Sequence, residues 1–225
     1  MGASAAIPRG RFIVLDGIDG CGKSTQAARL TRALEQAYLA NDEKARTAGR
    51  AAGGVLHLRE PGGSAVGEQI RSLVLAREHA LSPAVETLLF AAARRQMLDE
   101  RVAPALERGW DVVCERSNAS TFAYQAVAGG LPEDQVLELL RTWSNEPQPD
   151  LTLWLDLPVD EAQARRSAPQ DRIEDRGRPF QEAVRRGFVR WAERVPGNVR
   201  IDARGEESAV AERILSAVRG LEAAR

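Results

Sequence analysis

A chain of 225 residues with a formal net charge of −1 and 28% charged residues has no overall field that would hold a nucleic acid or an anionic membrane, so any basic patch has to be local. Its two cysteines, Cys21 and Cys114, cannot build a disulfide framework and have no metal-ligand spacing, which suits a reducing cytoplasm. The opening MGASAAIPRG lacks the apolar segment of a secretion signal, Ala6 stands where a myristoylation signal has Ser or Thr, and no stretch is long enough to cross a membrane.

Five short apolar runs, Phe12–Leu15, Val55–Leu58, Trp110–Cys114, Leu151–Leu157 and Val199–Ile201, alternate with helical patterns. That alternation predicts an α/β fold with a parallel sheet and helices on both faces, folded as one domain. Behind the first run, Gly17-Ile18-Asp19-Gly20-Cys21-Gly22-Lys23-Ser24 fits G-x-x-x-x-G-K-[ST] position for position and is followed by Thr25. The strand before it and the helix after it are the context this phosphate-binding loop requires. Its glycines let the backbone turn N–H groups inward, and the helix beginning near Lys23 adds its positive end. Lys23 is expected to reach the β- and γ-phosphates of a nucleoside triphosphate, and the Ser24 hydroxyl to ligate Mg²⁺.

The helix from Lys23 to about Leu39 carries Ala27, Leu30, Leu34 and Ala37 on one stripe and then gives way to Asn41–Gly54, an unpatterned stretch read as a surface insertion. Arg59-Glu60-Pro61-Gly62-Gly63 follows the second strand, where open α/β sheets put ligand loops, although a plain Pro-Gly turn would read the same. A short helix, Gly67–Ala76, carries Arg71. Ser82 and Pro83 are a cap and first-turn pair for a helix running to Arg108. On it Leu88, Leu89, Ala92 and Ala93 are expected to face the core, and Phe90 and Arg94 share another face. Glu115-Arg116-Ser117 follows the third strand and opens a polar stretch from Asn118 to Gln125 that includes Ser120, Thr121 and Tyr124. An acid and an arginine there could serve metal and phosphate, or form an ordinary strand-end ion pair. Helices are predicted at Pro132–Trp143, at Val159–Arg166 and from Ser208 onward, the last with Val210, Ile214 and Val218 inward. Between the last two lies a Pro- and Gly-broken segment holding Arg165, Arg166, Arg172, Arg176 and Arg178, either a solvated charge run or a mobile lid. His57 and His79 are read as surface or strand-end residues.

FIVLDGIDGCGKSTQ, REPGGSAVGEQIR, LLFAAARRQ, ERSNASTFAYQ, PDLTLWLDLP and DRIE occur together in one order, and on them the chain resembles the bacterial thymidylate kinases from about Phe12 to the last helix. The resemblance implies a P-loop kinase: a three-layer sandwich on a five-stranded parallel sheet, with an acceptor-binding region at about 59–130 and a short lid at about 165–178. It implies transfer of the ATP γ-phosphoryl group to dTMP with Mg²⁺, giving dTDP and ADP, in a cytoplasmic homodimer that engages neither nucleic acid nor membrane. It further implies that Phe90 stacks on thymine, that Arg94 and Thr121 meet the base, and that Tyr124 crowds the 2′ side of the sugar. Arg71 and Arg116 would clamp the acceptor phosphate. Asp19 would lie near the sugar 3′-hydroxyl and the metal, Glu115 would serve the metal, and Arg59, Glu60, Pro61 and Ser120 would line the pocket. Since the loop position that is Arg in some members is Gly20 here, the cation on the transferred group would come from the lid, with Arg166 and Arg172 the choices.

Four features depart from that pattern: Glu115-Arg116-Ser117 in place of Asp-Arg-Tyr or Asp-Arg-His, Asp16 in place of Glu, Ala126 in place of Gly, and a longer insertion before the second strand. They bear on metal geometry and acceptor placement. Two alternatives stay open on the residues alone: a P-loop kinase for another nucleotide or deoxynucleoside, and a nucleotide-binding protein without turnover.

Overall fold

The computed structural model describes residues 8–47, 53–166 and 176–223. Its five strands are β1 (Phe12–Gly17), β2 (Val55–Arg59), β3 (Asp111–Glu115), β4 (Leu151–Asp156) and β5 (Asn198–Asp202). They form one sheet in the order β2-β3-β1-β4-β5, parallel at every pairing. These are the five apolar runs, with ends shifted by two residues at most. β3 begins one residue late because the Trp110 backbone N–H is taken by the Ala105 carbonyl at 3.0 Å, while the buried Asp111 carboxylate accepts the Arg11 backbone N–H at 2.8 Å and pairs with its guanidinium.

β1 is central and buried along its whole length. Ile13 and Leu15 pack with Leu30, Phe122, Leu153 and Phe188 on one face; Phe12 and Val14 pack with Met97, Val102 and Leu106 on the other. The two-residue period therefore feeds two cores, as expected of a strand covered by helices on both sides. Because β1 has β3 on one side and β4 on the other, the connections leaving the carboxyl ends of these strands diverge and open a crevice there.

The helices are α1 (Lys23–Thr47), α2 (Ala65–Leu75), α3 (Pro83–Met97), α4 (Ala103–Glu107), α5 (Asn118–Thr121), α6 (Glu133–Trp143), α7 (Val159–Ala164), α8 (Gly177–Arg194) and α9 (Glu207–Ala223). π-helical segments continue α3 into α4 (Leu98–Val102) and extend α5 (Phe122–Val127). Ser64 caps α2 by accepting the Gly67 N–H at 2.9 Å. Ser82 caps α3 ahead of Pro83, the arrangement expected from the sequence, in which Pro gives up only a hydrogen bond that would be orphaned.

Three expectations are corrected. The stretch beginning at Asn41 continues α1 as far as Thr47, since NDEKART contains neither Gly nor Pro to stop a helix; residues 48–52 lie outside the described residues. The buried stripe of α1 ends at Leu34, and Ala37 is exposed. On α3, Leu88 is 58% exposed and Ala92 is exposed, whereas Glu86, Thr87, Ala91, Ala93, Arg94 and Met97 face inward. This helix turns a polar face toward a cleft, so counting apolar residues misaligns its inner side. α8, to which the sequence reading assigned no helix, is held by Gln181, Val184, Gly187, Phe188 and Trp191. Gly187 is required there because a Cβ would lie 2.6 Å from the Ala123 Cα.

Candidate active site

The loop after β1 turns through Gly20 (φ 82°) and Gly22 (φ 97°), a region that side chains disfavour. A Cβ at Gly20 would collide with the Ala162 carbonyl oxygen and lie 2.9 Å from the Arg166 Cγ. The end of α7 is thus seated directly on the loop. Lys23 is buried, and its ammonium donates to the carbonyls of Gly17 (2.9 Å) and Ile18 (2.7 Å). Cys21 packs beside it, 3.7 Å from the ammonium; burial pushes its thiol up, so it is a space-filling residue rather than a nucleophile.

Ser24, in the first turn of α1, donates its hydroxyl to Glu115 Oε2 at 2.5 Å. The other Glu115 oxygen meets His57 Nε2 at 3.0 Å. Burial alone would raise this carboxyl, but the bonds from His57 and Ser24 outweigh it and hold the group below its ordinary value. Two hard oxygen groups, a hydroxyl and a carboxylate, therefore stand together at the mouth of the loop. Among the described residues no cluster of three or more His, Cys, Asp or Glu side chains could hold a metal by itself.

A second charged group ties the loop to the end of β3. Asp16 is wholly buried and accepts from the backbone N–H groups of Ser117 and Ser120 (both 3.1 Å) and from the Ser120 hydroxyl (2.6 Å); burial pushes its carboxyl up despite these bonds. Asp19 takes a short contact from Arg116, the Tyr124 hydroxyl at 2.8 Å and the Gln181 amide at 3.1 Å. Burial would raise Asp19 too, but Arg116 and Lys23 hold it well below the usual carboxylate range. Arg116 lies over the Tyr124 ring, 5.3 Å from its centroid, and it is the one non-glycine residue at positive φ (67°) among those described. A strained backbone at such a spot is sustained by the contacts around it.

Arg94 is buried in the middle of α3's inner face, 3% exposed. Its guanidinium donates to Glu60 (2.5 Å), Asn118 (2.7 Å) and Thr121 (3.1 Å). Arg94 is therefore a buried, fully engaged cation rather than a solvated surface charge. Arg71 donates to the Pro61 carbonyl at 3.0 Å, and Phe90 is half-buried one turn before Arg94.

These groups meet in one cavity of about 880 Å³ at the carboxyl ends of the strands. Asp19, Gly20, Cys21, Gly22, Lys23, Ser24 and Thr25 line it, with Arg59, Glu60, Pro61, Arg71, Phe90, Arg94, Glu115, Arg116, Ser120, Thr121, Tyr124 and Arg166. Gly17 and Ile18 serve from beneath through their carbonyls. Arg172 lies outside the described residues. Gln125 and Arg165, which the sequence placed in the polar stretch and the lid segment without a role of their own, also line the cavity, and sequence reasoning missed the segment from Ala203 to Glu207, of which Ala203, Gly205, Glu206 and Glu207 line it as well. Arg165 donates to the Ala203 carbonyl at 3.2 Å and joins the two edges. The rule that exposed Arg59 and Glu115, looking just past strand ends, would have found Ala203 after β5.

A sequence model of the family described as thymidylate kinase matches residues 15–214. The chain belongs to the thymidylate kinase family. It is 40% identical over 200 residues to the thymidylate kinase of Alkalilimnicola ehrlichii, covering 87% of this chain and 86% of that protein. It is 43% identical over 187 residues to that of Parasynechococcus marenigrum, covering 82% and 85% respectively. The crystal structure of thymidylate kinase from Ehrlichia chaffeensis superposes with a TM-score of 0.72 at 27% identity, covering 94% of this chain and all of that one. The fold is therefore the P-loop kinase α/β fold of the thymidylate kinases. Two departures from the family pattern have a structural setting: Ala126 is buried in the core, and Ser117 contributes its backbone N–H to Asp16.

Proposed function

We infer that this chain transfers the γ-phosphoryl group of ATP to the 5′-phosphate of dTMP, giving ADP and dTDP. The observation that carries this reading is the single cavity in which the phosphate loop faces a corner built by Phe90, Arg94 and Thr121. A base stacked on Phe90 would have its edge on Arg94, whose orientation is fixed by Glu60, Asn118 and Thr121. Arg71 and Arg116 supply positive charge for the acceptor phosphate, and Asp19 with Tyr124 would border the sugar, Tyr124 crowding its 2′ side. Arg59, Pro61 and Ser120 complete this wall. The loop from Gly17 to Thr25 takes the triphosphate, leaving the edge made by Arg165 and Ala203 to Glu207 for the rest of the ATP molecule.

Transfer between two polyanions needs positioning and cations more than acid–base chemistry, because a monophosphate oxygen is already anionic near neutral pH. Lys23 would leave the Gly17 and Ile18 carbonyls for the β- and γ-phosphates. Arg166, whose Cγ lies beside the bare Gly20, would bring a cation to the transferred group when the segment at about 165–178 closes, with Arg172 as the second candidate. The Ser24 hydroxyl and the Glu115 carboxylate fit Mg²⁺, which takes few protein oxygens and fills its remaining positions with water and phosphate. Asp19, also expected at the metal, has both carboxylate oxygens engaged by Arg116, Tyr124 and Gln181, so Ser24 and Glu115 are the preferred pair. Bound there, the ion would neutralise charge on the β- and γ-phosphate oxygens.

We take the whole chain as one domain, with acceptor-binding residues at about 59–130. No helix among the described residues is long and apolar enough to cross a membrane, and we propose a cytoplasmic enzyme. A homodimer is supported by exposed apolar side chains on two neighbouring helices, Val66 and Leu73 on α2 and Val85 and Leu88 on α3. A panel of nucleoside monophosphates and deoxynucleosides with ATP and Mg²⁺ tests the substrate assignment. Turnover should be fastest with dTMP; a clear preference for any other acceptor would overturn it.

A further inference from the structure

We propose that His57 is a positioning residue that fixes the Glu115 carboxylate for the divalent cation, and that this pair is what lets a glutamate serve at the end of β3. The inference rests on the magnesium reading above. Strand register makes the pair possible. In the parallel β2–β3 ladder Arg59 lies opposite Glu115 and His57 opposite Val113. His57 is therefore two residues back from Arg59 on the same face of β2, diagonal to Glu115. The glutamate spans that diagonal with one oxygen, 3.0 Å from His57 Nε2, while its other oxygen sits 2.5 Å from the Ser24 hydroxyl.

Both ends of the carboxylate are thus occupied, and a side chain with three rotatable bonds is reduced to one orientation. An aspartate, one methylene shorter, could not touch a residue on the loop and a residue two positions back on the next strand together. Lys23 and Arg116 are bound to the Gly17 and Ile18 carbonyls and to Asp19, and Arg59, the register partner of Glu115, is exposed on the cavity wall; the bonds on the carboxylate itself come from His57 and Ser24. His57 stands behind Glu115 and is not among the cavity-lining residues, so its effect has to pass through the carboxylate. A donor on the far oxygen of a metal-binding carboxylate orients it and tunes its affinity, and removing such a donor commonly costs ten- to a hundredfold in metal binding.

The experiment titrates Mn²⁺ into the full chain with a non-hydrolysable ATP analogue and reads free Mn²⁺ by electron paramagnetic resonance. His57→Phe should weaken Mn²⁺ binding roughly tenfold. His57→Gln, whose amide carries an N–H at similar reach, should recover most of that loss, which a role in filling space would not predict. In a Glu115→Asp background His57→Phe should add nothing, because the shorter acid has already lost the contact. Parental Mn²⁺ affinity in His57→Phe, or an equal loss in the Glu115→Asp background, overturns the proposal while leaving the metal reading intact. If Ser24→Ala and Glu115→Gln both keep parental Mn²⁺ affinity, the metal reading falls and the proposal falls with it.

Discussion

Replacing Arg94 by methionine should separate what this residue does for folding from what it does for the acceptor. The substitution keeps a long unbranched side chain but removes every donor. Glu60, itself 5% exposed, then loses its cation, and Asn118 and Thr121 lose theirs. One Glu60 oxygen has no hydrogen-bond partner among the described residues even with Arg94 in place. Removing one side of a buried ion pair costs about 3–5 kcal/mol. For a chain of this length each kcal/mol lowers the melting temperature by about 2–4 °C, so a fall of roughly 10 °C is expected. The loss should depend on pH. Burial already holds the Glu60 carboxyl above its ordinary value against the pull of Arg94, and without the arginine it climbs further. A carboxyl with a higher pKa folded than unfolded binds more protons in the folded state, so stability falls as pH rises from the unfolded value through the folded one. The variant should therefore be least impaired in acid. Adding Glu60→Gln removes the stranded charge and should restore most of the stability, but not dTMP binding. Urea unfolding at several pH values, with separate titrations of dTMP and ATP, measures all of this. A loss under about 1 kcal/mol, or one that does not vary with pH, would refute the reasoning about a stranded carboxylate.

Lys23→Ala should leave the chain folded but less stable, because the Gly17 and Ile18 carbonyls lose their donor, and should cut turnover by about a thousandfold or more, the proposed role of the ammonium being to meet charge on the transferred group; a folded variant that retains a tenth of the activity would contradict that role. Arg166→Ala, and still more the pair Arg166→Ala with Arg172→Ala, should lower kcat about a hundredfold while dTMP affinity stays within about threefold, because the contact belongs to the closed state. Near-parental kcat in the double variant would reassign both to the solvated surface. Tyr124→Ala should narrow the kcat/KM gap between dTMP and its ribonucleotide counterpart; an unchanged ratio would remove Tyr124 from sugar discrimination.

The phosphate loop was legible because its pattern is local: Gly20, Gly22, Lys23 and Ser24 lie within a few residues of one another, and the strand and helix beside them follow from the same pattern. The strands were legible because β1 and its neighbours are buried on both faces and so read as apolar runs. What sequence periodicity could not supply is the nature of the medium an inner face meets. Leu88 points outward and Arg94 inward because α3 lines a polar cleft, and the partner that makes a buried arginine tolerable, Glu60, comes from 34 residues earlier in the chain. α8 went unassigned because two of its inward positions are Gln181 and Gly187, chosen to reach Asp19 and to let the helix approach Ala123. The His57–Glu115 contact depends on strand order, since β2 and β3 are neighbours only through a crossover. The place of Glu115 at a strand end was legible; the orientation of its carboxylate was not.

The central claim is that the two halves of the cavity hold a donor and an acceptor between which a phosphoryl group moves directly. A single-turnover experiment with excess enzyme, γ-labelled ATP, dTMP and Mg²⁺ tests it most directly. The label should pass to dTDP in step with the formation of ADP, one for one, and the transfer should vanish in Lys23→Ala. Label released only as inorganic phosphate, or ATP bound and left intact in the presence of dTMP, would contradict it.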